Sequence, residues 1–301
     1  MKILITGGSG FVGSKLSEAL ISRGHEVWSL DLFPPRNKNV GFINIDLSKS
    51  LDSLPKELAG SDAVVNLAGV TIGARWNEEY KKKIYDSRIL TTRNLVSIFP
   101  KEGFAPNVLI SASAVGVYGD RGEEDLYEDS KILENQGFLA KVAKDWEFEA
   151  KNAEKYGIRA VILRQGHILG AGGLLQTLLP YYKLGIGGPI GSGEQYFPWI
   201  HIDDLITLYI ECIENEQIQG VLNAVSGKPL KNKEFSKIFA KVLKRPHFLF
   251  IPVFILLIKY GEFAKEIVKG QKVHPGVLNK INFKFKYENL EDALKNIFTK
   301  K

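Results

Sequence analysis

Along the first half of the chain, apolar residues arrive in short unbroken runs separated by helix-spaced stretches. Lys2–Thr6, His25–Asp31, Gly41–Leu47, Asp62–Gly69, Asn107–Ser113 and Arg159–Gly166 each read as a strand. Runs that are apolar throughout, instead of alternating, suit strands covered on both faces. The clearest helical segments are Asn77–Phe99 and Gly137–Tyr156. The second carries Phe138, Val142, Trp146 and Ala150 at near-helical spacing. Strands and helices in this alternation predict an α/β fold built on a doubly wound parallel sheet.

After Gly166 the pattern loosens. Glycine-rich loops at Gly170–Gly173 and Gly185–Gly193 flank the apolar segment Leu174–Leu184. Asp203–Glu214 reads as an amphipathic helix with Asp203 or Asp204 as its cap. Val221–Ser226 reads as a strand and Lys231–Lys244 as a helix. From His247 onward, helical stretches mix with the FKFKY segment Phe283–Tyr287. These features predict a smaller C-terminal α/β domain on the substrate side, laid across the sheet's carboxyl edge. Residues 1–166 would form mainly the core and 167–301 mainly the substrate side, with 200–226 returning to the core.

Composition narrows the class. With 301 residues, 45% of them hydrophobic and 25% charged, the chain can bury a core without disulfides or metals. Its single cysteine, Cys212, excludes a disulfide framework and cysteine-rich zinc sites, and suits a reducing cytoplasm. The histidines, His25, His167, His201, His247 and His274, lack metal-ligand spacing, so no metal is expected. The opening MKILITGGSG reaches glycine too soon for the apolar core of a signal peptide. The longest apolar run, Phe248–Ile258, includes Pro252 and falls well short of the ~20 residues a membrane span needs. Neither a membrane nor nucleic acid is therefore expected as a partner. The net charge of +6 is scattered, with Lys81-Lys82-Lys83 the densest cluster, and no basic stripe interleaves with aromatics.

The strongest chemical signal is Thr6-Gly7-Gly8-Ser9-Gly10-Phe11-Val12-Gly13. It follows a strand and opens a helix, the setting in which a dinucleotide pyrophosphate rests on main-chain amides and a helix N-terminus. The first glycines permit the tight turn, Gly10 lets the backbone approach the phosphates, and Gly13 lets the helix pack closely on the sheet. The sheet is accordingly of Rossmann type. Asp31 ends the second strand at about the 20-residue spacing of a carboxylate that grips a ribose 2′-hydroxyl, which favours NAD over NADP. Arg36 could swing in to neutralise a 2′-phosphate. Asp46 and Leu47 could bracket the adenine, and Leu67-Ala68-Gly69 places small residues where the cofactor lies close to backbone.

With those residues placed, the chain resembles the extended branch of the short-chain dehydrogenase/reductase superfamily. The segments TGGSGFVG, AGVTIGARW (68–76), DSR (86–88), ISASAVGVYGDRG (110–122), KDWE (144–147) and GGPIGSGEQYFPWIHIDD (187–204) carry the likeness. In the tail, QKVHPGVLNKINFKFKYENLEDAL (271–294) fits as well. Together they resemble an atypical, sugar-nucleotide epimerase-like subgroup with a C-terminal domain of unknown function, here about 247–294. The resemblance implies an NAD(P)-binding oxidoreductase or epimerase acting on a small carbonyl or sugar-nucleotide substrate. The alternative is an inactive NAD(P)-binding sensor or scaffold. Relatives often dimerise through two paired helices, a role that Asn77–Phe99 and Gly137–Tyr156 could serve in a homodimer.

The resemblance also assigns catalytic groups. Ser113 matches the family's substrate-polarising serine. A tyrosine acid/base needs a neighbouring cation to work near neutrality, and the slots for that pair fall at Phe138 or Leu139 and at Val142 or Ala143. A literal match, Tyr127 with Lys131, sits in an acidic loop-like stretch before the apolar helix. Tyr118 could supply a phenol or an aromatic wall, and Lys144 a substitute cation. Arg75-Trp76 suits an anionic or carbonyl-bearing substrate, or an interdomain contact. Trp199 and His201 close the cleft, with His201 either an acid/base or a structural residue.

Overall fold

The computed structural model describes residues 1–49, 55–101 and 104–299. Its first half runs β1 (Lys2–Thr6), α1 (Phe11–Ser22), β2 (Glu26–Asp31), β3 (Gly41–Asn44), β4 (Ala63–Asn66), α2 (Glu78–Ser97), β5 (Val108–Ala114), β6 (Asp125–Leu126), α3 (Phe138–Lys151) and β7 (Arg159–Gln165). The second half runs β8 (His167–Leu169), α4 (Gly173–Lys183), β9 (Trp199–His201), α5 (Ile202–Glu214), β10 (Gly220–Ala224), α6 (Asn232–Val242), α7 (Val253–Tyr260) and α8 (Phe263–Ile267). It ends with β11 (Lys272–Val273), α9 (Gly276–Lys280) and α10 (Leu290–Thr299).

Among the described residues, seven strands form one parallel sheet in the order β3-β2-β1-β4-β5-β7-β10. The chain reverses its direction of travel across the sheet between β1 and β4, the crevice where ligands bind in open α/β sheets. Unbroken apolar strands serve both faces, as the pattern predicts. Ile3, Ile5, Val65, Ile110 and Leu163 pack with Leu16 and Leu20 of α1 and with Leu205 and Leu208 of α5. Leu4, Val64, Leu109 and Ile162 face the other way, onto Leu95 of α2 and Ala150 of α3. A third cluster joins Leu169, Tyr182 and Trp199 to Phe235, Phe239, Leu290 and Leu294, so the second half builds its own core beside the sheet.

Element ends differ from the sequence pattern for local reasons. The third strand stops at Asn44, and Asp46 turns the chain by accepting from the amide and hydroxyl of Ser48. Helix α2 starts where Asn77 Oδ1 accepts the Tyr80 amide, with Glu78 and Glu79 in its first turn. For α5 the cap is neither Asp203 nor Asp204: His201 Nδ1 accepts the Asp203 amide at 3.1 Å. Asp204 is instead buried, accepting the amides of Lys286 and Tyr287 at 2.7 and 3.1 Å. The FKFKY segment joins no ladder, and its Phe283 and Phe285 rings meet edge-on 4.9 Å apart.

Candidate functional site

The glycine turn between β1 and α1 leaves no room for a Cβ at Gly7, Gly8 or Gly13. Gly7 has φ +70°, and a Cβ there would lie 3.1 Å from the backbone of Ala68. At Gly8 it would meet Ser29 Oγ at 2.5 Å, and at Gly13 the Gly7 carbonyl oxygen at 2.4 Å. Gly10 caps α1 without any side-chain hydrogen bond, and the helix has no acid in its first turn. No acid of the helix itself therefore neutralises its positive end, which fits a dinucleotide pyrophosphate. Val12 packs on the sheet core. Phe11 is wedged beneath the second glycine loop, where a Cβ on Gly170 or Gly172 would come within 2.8 Å of its ring. The two loops border a cavity of about 390 Å³, which Lys15 and Arg36 also line.

Asp31 closes this turn. Its Oδ2 accepts from the Ser9 amide at 3.0 Å and the Ser9 hydroxyl at 2.6 Å, while Oδ1 accepts from the Leu32 amide at 2.7 Å. Ser48 holds the Asp46 carboxyl below the usual range, and Leu47 lies in the core between sheet and helices. At the end of β4, Leu67 and Ala68 donate their amides to Thr6 Oγ1, each at 3.1 Å. Thr6 in turn donates to Asn66 Oδ1 at 2.8 Å. Small residues are needed here, since a Cβ on Gly69 would sit 2.8 Å from the guanidinium carbon of Arg88.

Arg88, on α2, has no carboxylate partner among the described residues. It donates to the carbonyls of Ile84 and Val70 at 3.2 and 3.1 Å and lies over the Trp146 ring at 5.4 Å. Burial pulls its pKa down to about 10, still protonated at neutral pH. This half-buried cation, held on two backbone carbonyls beside Gly69, has a charge that no carboxylate among the described residues offsets. The sequence offered it only as the last letter of DSR, with nothing to say that it points inward.

A polar row crosses the carboxyl ends of β5, β7 and β10, where Ser113, Arg164 and Asn223 are register neighbours. Ser113 Oγ donates to Glu147 Oε1 of α3 at 2.7 Å. Arg164 clamps the same carboxylate with Nε at 2.8 Å and NH2 at 2.9 Å, and both residues are buried. Burial opposes the Arg164 charge, yet Glu147 and Tyr118 hold its pKa above the ordinary value. Sequence reading missed this pair, although an arginine inside the apolar run RAVILRQG needs a buried partner.

Tyr118 does not present a phenol to a cavity. Its hydroxyl is fully buried, donates to Asn223 Oδ1 at 2.7 Å, lies 3.0 Å from the Tyr127 carbonyl and accepts from Arg164 at 2.9 Å. Burial pushes its pKa up. Ser113 and Tyr118 are therefore brought together, but through Glu147 and Arg164. Of the tyrosine and lysine slots, Phe138, Leu139 and Val142 pack with Trp76, Ile84 and Trp146 in one apolar cluster, and Ala143 lies in another with Val117 and Tyr118. Tyr127 is exposed in a loop with its ring stacked on His274, so it shares no helix face with Lys131.

The remaining expected pocket residues lie apart from this row. Trp76 is buried between Phe138 and Phe263, its indole donating to the Ile72 carbonyl at 2.9 Å. Arg75 donates to the carbonyl of Ile258, tying this loop to α7. Lys144 is exposed and paired with Glu134. Trp199 is buried in the third cluster with Nε1 lacking a hydrogen-bond partner, and His201 is buried against Tyr287, 4.0 Å between rings. Among the described residues no group of histidine, cysteine or carboxylate side chains could hold a metal ion.

Known proteins resemble this chain in sequence and fold. The epimerase family protein YfhF of Bacillus subtilis (strain 168) is 37% identical over 297 residues, 99% of this chain and 98% of the relative. The Arabidopsis thaliana epimerase family protein SDR39U1 homolog, chloroplastic, is 36% identical over 99% of this chain and 86% of its own length. A crystal structure of the human epimerase family protein SDR39U1 (isoform 2) with NADPH superposes over 100% of both chains with TM-score 0.89 and 32% identity. Residues 251–297 match a domain of unknown function, DUF1731. Residues 3–224 match the NAD dependent epimerase/dehydratase family, and the chain belongs to it.

Proposed function

We propose that the chain binds a nicotinamide dinucleotide along the sheet's carboxyl edge and uses it on a small carbonyl or sugar-nucleotide substrate. The observation that carries this reading is the turn Gly7–Gly13, where Gly7, Gly8 and Gly13 have no room for a Cβ and Gly10 begins α1 without a side-chain cap. The bound nicotinamide would supply hydride transfer. The chain's own residues bind, orient and exclude water. Amides of the turn and of Phe11 and Val12 hold the pyrophosphate, Asp31 meets the adenosine ribose, Asp46 and Leu47 flank the adenine, and Leu67-Ala68-Gly69 admits the nicotinamide half. Arg88 attracts an anionic group of cofactor or substrate. Ser113 polarises the substrate by turning its hydroxyl from Glu147, and Arg75 and Trp76 wall the substrate side. Tyr118 acts as a positioning residue, since its hydroxyl is spent on Asn223 and Arg164.

Asp31 supports NAD over NADP, because a carboxylate repels a 2′-phosphate. Arg36 in the neighbouring cavity, together with the NADPH of the human relative, favours the opposite choice. Titration calorimetry with both dinucleotides decides between them. Under our reading NADH binds more tightly and Asp31→Ala narrows the gap, whereas an unchanged affinity ratio removes Asp31 from the role. Arg88→Met is expected to weaken dinucleotide or substrate binding by roughly tenfold or more, the worth of one charge-assisted bond.

A second reading, a dinucleotide-binding sensor without turnover, is favoured by the apolar packing at Phe138 and Val142. Stereospecific loss of label from 4-deuterated NADH with a panel of carbonyl compounds supports the enzyme. Tight NADH binding with no transfer to any of them supports the sensor. Where transfer is seen, a Ser113→Ala variant that keeps full turnover would show that the serine is not the polarising group.

A further inference from the structure

We propose that the surface made by residues 181–186 and 244–259 lies against an anionic lipid bilayer without crossing it. Helix α7 buries only Leu256 of its eight residues. Phe254 is 61% and Ile258 69% exposed, and the segment leading into the helix leaves Phe248 77% and Phe250 64% exposed. Leu184, at the end of α4, is 74% exposed.

The backbone holds the segments that carry these side chains together. Ile251 donates its amide to Pro189 at 2.8 Å, and Gly191 donates to Ile251 at 2.9 Å. Gly188 is pressed so closely on the Leu249 carbonyl that a Cβ would lie 2.0 Å from its oxygen. Lys259 reaches Tyr181 at 2.6 Å. Large exposed apolar patches on folded proteins mark contact surfaces.

Charge selects the occupant. Neither 181–193 nor 244–261 contains a single Asp or Glu, whereas Lys183, Lys244, Arg245 and Lys259 are all exposed there. A symmetric contact with a second copy would set these cations against their own duplicates. Anionic headgroups satisfy the cations while the apolar chains enter the acyl boundary, and the lysine stems reach back to the interface. The absence of a membrane-spanning helix among the described residues is consistent with this arrangement, because the helix lies on the surface.

Co-sedimentation of the full chain with vesicles tests the proposal. The protein should be carried down by vesicles of phosphatidylcholine and phosphatidylglycerol in equal parts, and far less by phosphatidylcholine alone. Salt near 1 M, where screening acts within about 3 Å, should weaken the attraction. The double variant Phe250→Ser/Phe254→Ser should lose roughly tenfold or more in vesicle affinity, with an unchanged thermal midpoint because both rings are already in solvent. Lys244→Glu/Arg245→Glu should lose binding to the mixed vesicles alone. The proposal is overturned if the wild-type chain stays in the supernatant with the mixed vesicles, or if the phenylalanine variant binds them equally well. A dimer in solution that the phenylalanine variant breaks, without vesicle capture, reassigns the surface to a second copy.

Discussion

Gly13 shows how little freedom a single position has when a backbone must hold a ligand. An added methyl would stand 2.4 Å from the Gly7 carbonyl oxygen and 2.7 Å from the Gly8 α-carbon, both main-chain atoms that cannot swing away. Gly13→Ala should therefore cost about 1–3 kcal/mol of stability by overpacking and widen the turn enough to abolish dinucleotide binding. Urea denaturation and calorimetry on the same sample read the two effects. Tyr118 is constrained in another way. Its folded pKa is raised by burial, so an unfolded chain gives up that phenolic proton first and the folded state loses stability as pH climbs past about 10. Ultraviolet titration of the folded protein should show the same phenolate signal near pH 10 for wild type and Tyr118→Phe. A signal lost in the variant at that pH would mean that the phenol is open to solvent and able to serve as an acid or base.

At the scale of elements, the Glu147–Arg164 clamp fixes α3 to β7 beneath the polar row. Glu147 also takes the Ser113 hydroxyl, so one carboxylate sets the position of strand, helix and candidate catalytic group. Removing one partner strands the other charge in the interior, and Glu147→Leu is expected to cost about 3–5 kcal/mol. Replacing both, as Glu147→Leu/Arg164→Met, should recover much of that loss, and a double-mutant cycle by denaturant unfolding measures the difference. The clamp also explains what sequence could and could not reveal. The glycine turn and the strands of the main sheet were legible because their determinants are consecutive residues: a run of apolar side chains, then, after β1, glycines where a helix begins. Glu147 lies 17 residues from Arg164, so an arginine in an apolar strand signals a buried partner without saying which acid supplies it. The pairs β6–β11 and β8–β9 are likewise formed by two or three residues whose partners are distant in the chain. Arg88 escaped for the same reason, since its inward turn is set by Gly69 and Trp146 from other elements.

Across the whole molecule, backbone amides and carbonyls of the C-terminal segment tie it to α5, β10 and the loops that carry Trp76 and Glu128. Asp204, the second acid of α5's first turn, spends both carboxylate oxygens on the amides of Lys286 and Tyr287. Glu128 Oε1 accepts from the amides of Asn223 and Val277 at 3.0 and 3.1 Å, and Asn223 donates its side-chain amide to the His274 carbonyl at 2.9 Å. The Trp76 amide reaches Tyr260 at 3.3 Å. Because Leu290 and Leu294 complete the cluster around Trp199 and Phe239, the tail also supplies core that residues 1–246 lack. A chain ending at residue 246 would take from Asp204 both of its amide partners and from Glu128 the Val277 amide, and open one side of that cluster. It should lose cooperative unfolding and dinucleotide binding together, whereas the full chain should unfold in a single transition. Calorimetric scanning of both decides the matter. A truncated chain that melts cooperatively and still binds NADH would make the tail an appendage, and the tie from Asn223 to Tyr118 and Arg164 could then no longer link it to the arrangement of Ser113.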